Sequence, residues 1–139
     1  MLNPSYWNDK ITVVNKLSAR DSATRIDTYK KTVLEHCFFK QTISRDVTGT
    51  TVNLGTSAVC RIPKNAKYRP YHEWKKDITD GFTLSVGDYI FKGEIADTVT
   101  AENIINLFNE NRASAFVIKA VADNSDFLGL GEHYRVEGV

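Results

Sequence analysis

The stretch GFTLSVGDYIFKGE, residues 81–94, decides how the rest of the chain is read. Phe82 and Leu84 alternate with polar residues, and Val86 leads into Gly87-Asp88. The apolar run Tyr89-Ile90-Phe91 follows and is closed by Lys92-Gly93-Glu94. Two short apolar segments around a Gly-Asp turn predict a tight β-corner or hairpin, with Gly87 and Gly93 supplying positive φ. On this reading the preceding segments supply the other strands of a barrel or sandwich. A helix then packs across the sheet, and two last strands complete it.

Working outward, residues 11–17 (ITVVNKL) alternate Ile11, Val13, Asn15, Leu17 and predict a half-buried strand. Residues 18–27 are a polar connection. Residues 28–41 form a long strand with Tyr29, Val33, Cys37 and Phe39 on one parity and Leu34 and Phe38 on the other. Gly49 and Gly55 mark turns around Val52–Leu54, so residues 42–57 read as an exposed hairpin tip or flexible loop. Residues 58–63 are a strand stopped by Pro63, and residues 64–80 a long surface loop.

Residues 100–111 are the one helix: Thr100 is its N-cap, Glu102 suits the dipole, and Ala101, Ile104, Ile105 and Phe108 make its apolar face, widened by Leu107. Residues 113–122 are apolar on both parities apart from Lys119 and predict a central strand. A turn-rich loop at 123–131 leads to a last strand, 133–137, with Tyr134 and Val136 inward. The expected fold class is therefore mainly β (α+β), a small β-barrel or sandwich with one packed helix at about 100–111 and long loops. An N-terminal arm, residues 1–10, precedes a single barrel-like domain, residues 11–139.

Composition narrows the function classes. A 139-residue chain, 42% hydrophobic and 25% charged, has enough apolar content for one real core. Eighteen basic residues against 17 acidic ones give a net charge of +1, so any nucleic-acid or membrane signature must be local. No apolar run reaches the length of a membrane span, and MLNPSYWNDK lacks the apolar region of a secretory signal. Cys37 and Cys60 sit in separate apolar runs outside any CxxC, which points to reduced, buried thiols in a cytoplasm.

Catalytic constellations are not evident. His36, His72 and His133 lie in three separate elements, and no second ligand pair at metal spacing accompanies His36-Cys37. Asp123-Asn124-Ser125-Asp126 departs from a calcium loop at Phe127 and Gly129; Asx turns account for it. Gly49 and Gly55 have Walker-like spacing without the lysine that grips phosphate. The expectation is no enzyme, no cofactor and no metal.

The most informative surface segment is the basic loop. Arg61, Lys64, Lys67, Arg69, Lys75 and Lys76 stand against the single Glu73, interleaved with Tyr68, Tyr71, His72 and Trp74. Cations track phosphates, and aromatic faces stack bases or pack on a partner. The alternative is a solvated loop anchored by its aromatics to its own domain. In the N-terminal arm, Tyr6 and Trp7 either tuck onto the domain or dock on a neighbouring subunit.

The order of these elements resembles the small head-closure (head-completion, or stopper) proteins in the neck of long-tailed bacteriophages and prophages of Firmicutes. The likeness runs from about Ile11 to Gly138. It is carried by ITVVNKL, TYKKTVLEHCFF, Val59-Cys60-Arg61-Ile62-Pro63, the basic loop, FTLSVGDYIFKGEI, the helix, AFVIKAVAD and the terminal HYRVEG. Its motifs are loose, and only their order has weight.

The resemblance implies a β-barrel with an appended helix, assembled as a homo-oligomeric ring between portal or adaptor proteins and the tail, with double-stranded genomic DNA in the channel. It implies a virion location, assembly in the host cytoplasm and no membrane. Either residues 64–76 or 48–57 would be the channel loop. The cations favour the first: Lys64, Lys67, Tyr68, Arg69, Tyr71, Trp74, Lys75 and Lys76 are its candidate contact residues, with Tyr6 and Trp7 as a candidate inter-subunit arm. Because DNA must also slide out, that loop has an alternative role against portal-side or tail-side protein. A tail-terminator or other tail-end ring protein and an OB-like nucleic-acid-binding module are the competing readings.

Overall fold

The computed structural model describes residues 7–49, 51–124 and 132–139. Six antiparallel strands close a barrel in the order β1-β2-β3-β6-β5-β4: β1 (Asp9–Leu17), β2 (Thr28–Thr48), β3 (Thr51–Pro63), β4 (Tyr89–Lys92), β5 (Ala115–Asn124) and β6 (His133–Gly138). The protein is thus mainly β. Closure consumes the strand edges that an open sheet would leave free. β1 begins at Asp9, so the last two residues of the expected arm already belong to the barrel.

The interior is filled by alternating residues of every strand, among them Ile11, Val13, Cys60, Ile62, Ile90, Phe116, Ile118 and Val136. Strand β1 is not half-buried as its alternation suggests. Residues 11–15 are all buried, because a second apolar layer of Phe91, Val99, Ile104, Leu107 and Ala115 covers Val14 from outside. In β2 the parity changes midway: Ile11 pairs with Leu34 and Asp9 with Cys37, an irregular register with His36 at φ 60°. That bulge turns Leu34, Cys37 and Phe39 all inward, against the face assignment made from spacing alone.

Residues 81–94 make a corner and not a hairpin. Phe82 forms one isolated parallel bridge with Tyr68; no strand covers residues 83–88, and β4 starts at Tyr89. The corner is held by polar groups. Asn15, fully buried in β1, donates from Nδ2 to the Thr83 carbonyl (2.5 Å) and to Asp88 Oδ2 (2.9 Å), and its Oδ1 accepts the Thr83 N–H (3.2 Å). The Lys16 N–H donates to Asp88 Oδ1 (3.1 Å). On the far side Gly87 N–H donates to the Ile118 carbonyl (2.9 Å) and Ile118 N–H to that of Asp88 (2.8 Å). A segment without a ladder of its own therefore has its backbone groups satisfied by β1 and β5. Gly81, Gly87 and Gly93 have φ of 83°, 98° and 82°. Val86, read as part of the apolar pattern, is exposed.

The helical segment is shorter than expected: α2 spans Ile104–Glu110, preceded by a turn at 101–103 and followed by a 3-10 turn at Arg112–Ser114, the latter taking residues assigned from sequence to the next strand. The N-cap of α2 is Asn103 and not Thr100, which instead holds the turn before it. The Thr100 Oγ1 accepts the Asn103 N–H (3.3 Å) while Asn103 Oδ1 accepts the Thr100 N–H (2.7 Å), a reciprocal pair of bonds. Ile104 and Leu107 are buried, but Ala101 and Ile105 face outward, so the apolar face is narrower and rotated from the one expected. The loop between β4 and α2 is pinned by Lys31, whose Nζ donates to the carbonyls of Ile95, Ala96 and Asp97 at 2.8–3.0 Å.

Candidate functional site

The basic loop is folded onto its own barrel. Within it Tyr71–Trp74 forms the single turn α1, and Trp74 is fully buried. Tyr68 packs on Tyr134 of β6 (ring centroids 4.5 Å) and on Phe82 (5.9 Å). Tyr71 donates its hydroxyl to Asp21 Oδ2 (2.8 Å), and this bond, ahead of the charge of Lys75, holds the Asp21 carboxyl below its ordinary range. Tyr68, Tyr71 and Trp74 are thus anchors of the loop, the alternative left open by the sequence.

Most of the loop's cations are also committed. Lys64 Nζ lies 2.6 Å from Asp123 Oδ1 and 5.4 Å from the Tyr134 ring centroid. Arg69 donates to the carbonyls of Ala66 (2.6 Å) and Tyr68 (3.0 Å) and approaches Asp80 (3.8 Å), and Lys75 sits 3.7 Å from Asp21. Lys67 and Lys76 are exposed without an ion pair among the described residues. The surplus of cations counted along the sequence shrinks because Asp21 and Asp123, distant in the chain, and Asp80, at the loop's own end, fold against them. Proximity in space, not in sequence, decides that balance.

Trp7 is buried against the barrel, edge-on to His133 at 5.1 Å, so its side chain is not presented to a neighbouring subunit as the inter-subunit reading requires. Tyr6 lies outside the described residues. His133 also meets Arg61 Nη1 at 3.0 Å, His36 is exposed at the β2 bulge, and His72 is exposed on α1. No group of three or more His, Cys, Asp or Glu among the described residues is arranged to hold a metal. Cys37 and Cys60 are free and buried; burial pushes the Cys37 thiol up to about 12 and Cys60 well above its ordinary value, which makes both inert. No helix among the described residues is long and apolar enough to cross a membrane.

The second candidate segment stands out in the backbone. The β2–β3 ladder runs from Phe38–Arg61 to Thr48–Thr51, turning at Gly49 (φ 61°). β1 pairs β2 only through Cys37, and β6 pairs β3 only from Ala58. Residues 42–57 are therefore a two-stranded ribbon that leaves the barrel, about 20 Å long at the usual strand rise. The sequence signalled its tip through Gly49 but not its length, because Thr, Ser and Asn in strands look like loop composition.

One side of the barrel carries a feature that spacing did not reveal. An open groove of about 510 Å³ crosses β2, β3, β6 and β5, lined by Val59, Ala120, Thr42 and Ser57 together with Lys40, Lys119, Arg135 and Glu137. In register, Arg135 also stands directly opposite Arg61. The isolated Lys119 within an apolar run was the only sequence hint. No curated protein and no solved structure matches the chain. A family model matches residues 6–139, and the chain accordingly belongs to DUF6751, a family of unknown function.

Proposed function

We propose that this protein is a structural component of the phage neck, a head-tail connector that closes the DNA-filled head below the portal or adaptor and offers a docking surface to the tail. The observation that carries this reading is the ribbon of residues 42–57, which extends from a closed barrel and, among the described residues, pairs only with itself. A lone two-stranded ribbon is marginally stable in water, so one built onto a rigid body is suited to contact something beyond that body. In a ring of such barrels the ribbon, rather than the tethered loop at 64–76, is the segment that reaches the channel or the next component. Among the strand aromatics, Phe39, Phe91 and Phe116 are buried in the core, so the OB-type reading, which needs bases stacked on exposed strand rings, draws no support from them.

Deleting the gene and imaging the lysate by electron microscopy tests the reading. Emptied or leaking heads beside complete, separate tails are expected. Full heads with overlong tails would move the protein to the tail end, and normal particles would end the virion reading. Joining Thr42 to Ser57 through an Asn-Gly turn removes the ribbon while keeping the register of the barrel. A folded variant that still supports normal genome retention would refute the ribbon's role.

A further inference from the structure

We infer that the first half of β2 is a docking edge, onto which an extended segment of another polypeptide, bearing a carboxylate, adds as a further strand. Closure of the barrel stops short of this stretch. β2 pairs with β1 over Thr28–Leu34 but with β3 only from Phe38 onward, so residues 28–34 have a neighbouring strand on one side alone among the described residues. The direction of the free groups follows from β1. The Lys10 carbonyl accepts the Gly93 N–H and the Lys16 N–H reaches Asp88, so even-numbered residues of β1 turn their backbone groups toward β4 and the corner before it. Ile11, Val13 and Asn15 therefore bond to Leu34, Thr32 and Lys30, and the N–H and C=O of Tyr29, Lys31 and Val33 point the other way. None of these groups has a backbone partner among the described residues.

Beside this edge runs a groove. About 360 Å³ of open space separates Thr32, Val33 and Leu34 from Lys67, Gly81 and Phe82 on the far bank, and about 240 Å³ more continues past Leu34 toward Pro63. Lys30 spans the gap: its Nζ donates to the Gly81 carbonyl at 2.7 Å and ties the two banks together. Leu34 and Phe82, both buried, make an apolar patch in the groove, and Thr32 Oγ1 is buried there without a hydrogen-bond partner.

The chemistry of the edge selects its occupant. Free donors and acceptors recur together at every second residue, about 7 Å apart. An extended peptide backbone repeats that pattern, whereas a phosphate chain offers acceptors only. An open edge also invites pairing between copies, but here the loop at 64–82 forms the far bank, and two edges recessed in this way cannot meet. A single slender segment can enter. Its inward side chains meet Leu34 and Phe82 and are apolar. Of the charges nearby, Lys30 has Asp77 and Asp80 around it, Glu35 faces Lys10 at 3.6 Å, Lys64 is held by Asp123, and Lys31 is engaged by the carbonyls of residues 95–97. Lys67 is left exposed on the far bank without an ion pair among the described residues, and no carboxylate lines the groove beside it. That cation favours a carboxylate on the incoming segment.

The inference does not rest on the neck reading, which is decided on particles, whereas this is read on the purified full chain. In hydrogen exchange the amides of Tyr29, Lys31 and Val33 should exchange about tenfold or more faster than those of Lys30, Thr32 and Leu34 in the same strand. Uniform protection would overturn the free edge. A displayed library of random octapeptides, selected on the immobilised chain, should yield peptides that alternate apolar and polar residues and include Asp or Glu. A selected peptide should bind with a Kd below about 1 mM and slow exchange at Tyr29, Lys31 and Val33. Methylating its backbone nitrogens at one alternate set of positions should weaken binding about tenfold or more while the other set is tolerated, because strand addition uses every second N–H. Val33→Pro deletes one edge N–H, leaves the β1 ladder intact and should weaken binding too; the methylation series decides the matter should that variant not fold. No enrichment, peptides that leave these amides unprotected, or equal tolerance of both methylated sets would overturn the inference. So would slowed exchange at the edge on concentrating the chain alone, which gives it to a second copy, or on adding a DNA duplex.

Discussion

Asp88 is the residue whose perturbation tests the fold most sharply. Its carboxyl is 3% exposed, and burial, opposed by the bonds from Asn15 and the Lys16 N–H, raises it from 3.8 to about 6. Between those values the native state binds more protons than the unfolded chain, so stability falls as pH rises through the window and levels off above about 6. The full difference corresponds to about 3 kcal/mol, of which about 2 kcal/mol develops between pH 4 and 8.

The Asp88→Asn variant removes the titration but not the shape. Its amide must point NH₂ at either Asn15 Nδ2 or the Lys16 N–H, and Asn15 cannot flip to relieve this because Thr83 holds both ends of its amide. The variant should lose about 1–3 kcal/mol for one unsatisfied donor at pH 4. Urea denaturation followed by the fluorescence of buried Trp7 and Trp74 reads both quantities. The gap between wild type and variant should narrow by about 2 kcal/mol from pH 4 to 8. Parallel curves across that range would refute a buried, proton-linked Asp88 and the corner it organises.

Backbone strain gives a second test. Gly87 is at φ 98° with open space where a Cβ would go, so Gly87→Val should cost about 1–3 kcal/mol through conformation alone; an unchanged melting temperature would show the positive φ is not required. Gly81→Ala should be at least as damaging, since its Cβ would lie 2.0 Å from the Lys67 carbonyl oxygen in addition to a φ of 83°. Neutralising Lys67 and Lys76 should leave the melting temperature unchanged, whereas Arg69→Gln should lower stability by about 1 kcal/mol by freeing two carbonyls; equal effects would mean the loop is not tethered as described. Both thiols should resist an aromatic disulfide reagent at pH 8 until the chain is denatured, and rapid labelling of the native protein would contradict their burial.

Much of the architecture is written in local pattern. Alternation marked β1, the β2 and β3 segments and β6; Pro63 ended β3; and Gly87 and Gly93 announced positive φ. These signals act over a few residues, where sterics, capping and side-chain period suffice. The interior of β2 was misassigned because a single bulge at His36 inverts parity without changing composition. Of the two readings of 81–94, corner or hairpin, the corner is the one realised, because Asn15, 68 residues away from Thr83 in the chain, holds that segment by side-chain bonds in place of a ladder.

The candidate site followed the same division. Sequence alone determined which residues are cationic and aromatic and the order of the strands that carry them. Only the tertiary structure decided which charges remain unopposed, because Asp21 and Asp123 are brought to the basic loop by the fold. The same closure placed Lys40, Lys119 and Arg135, from three different strands, around one groove. Charge balance is a property of distance in space, and no spacing along a chain encodes it until the barrel closes.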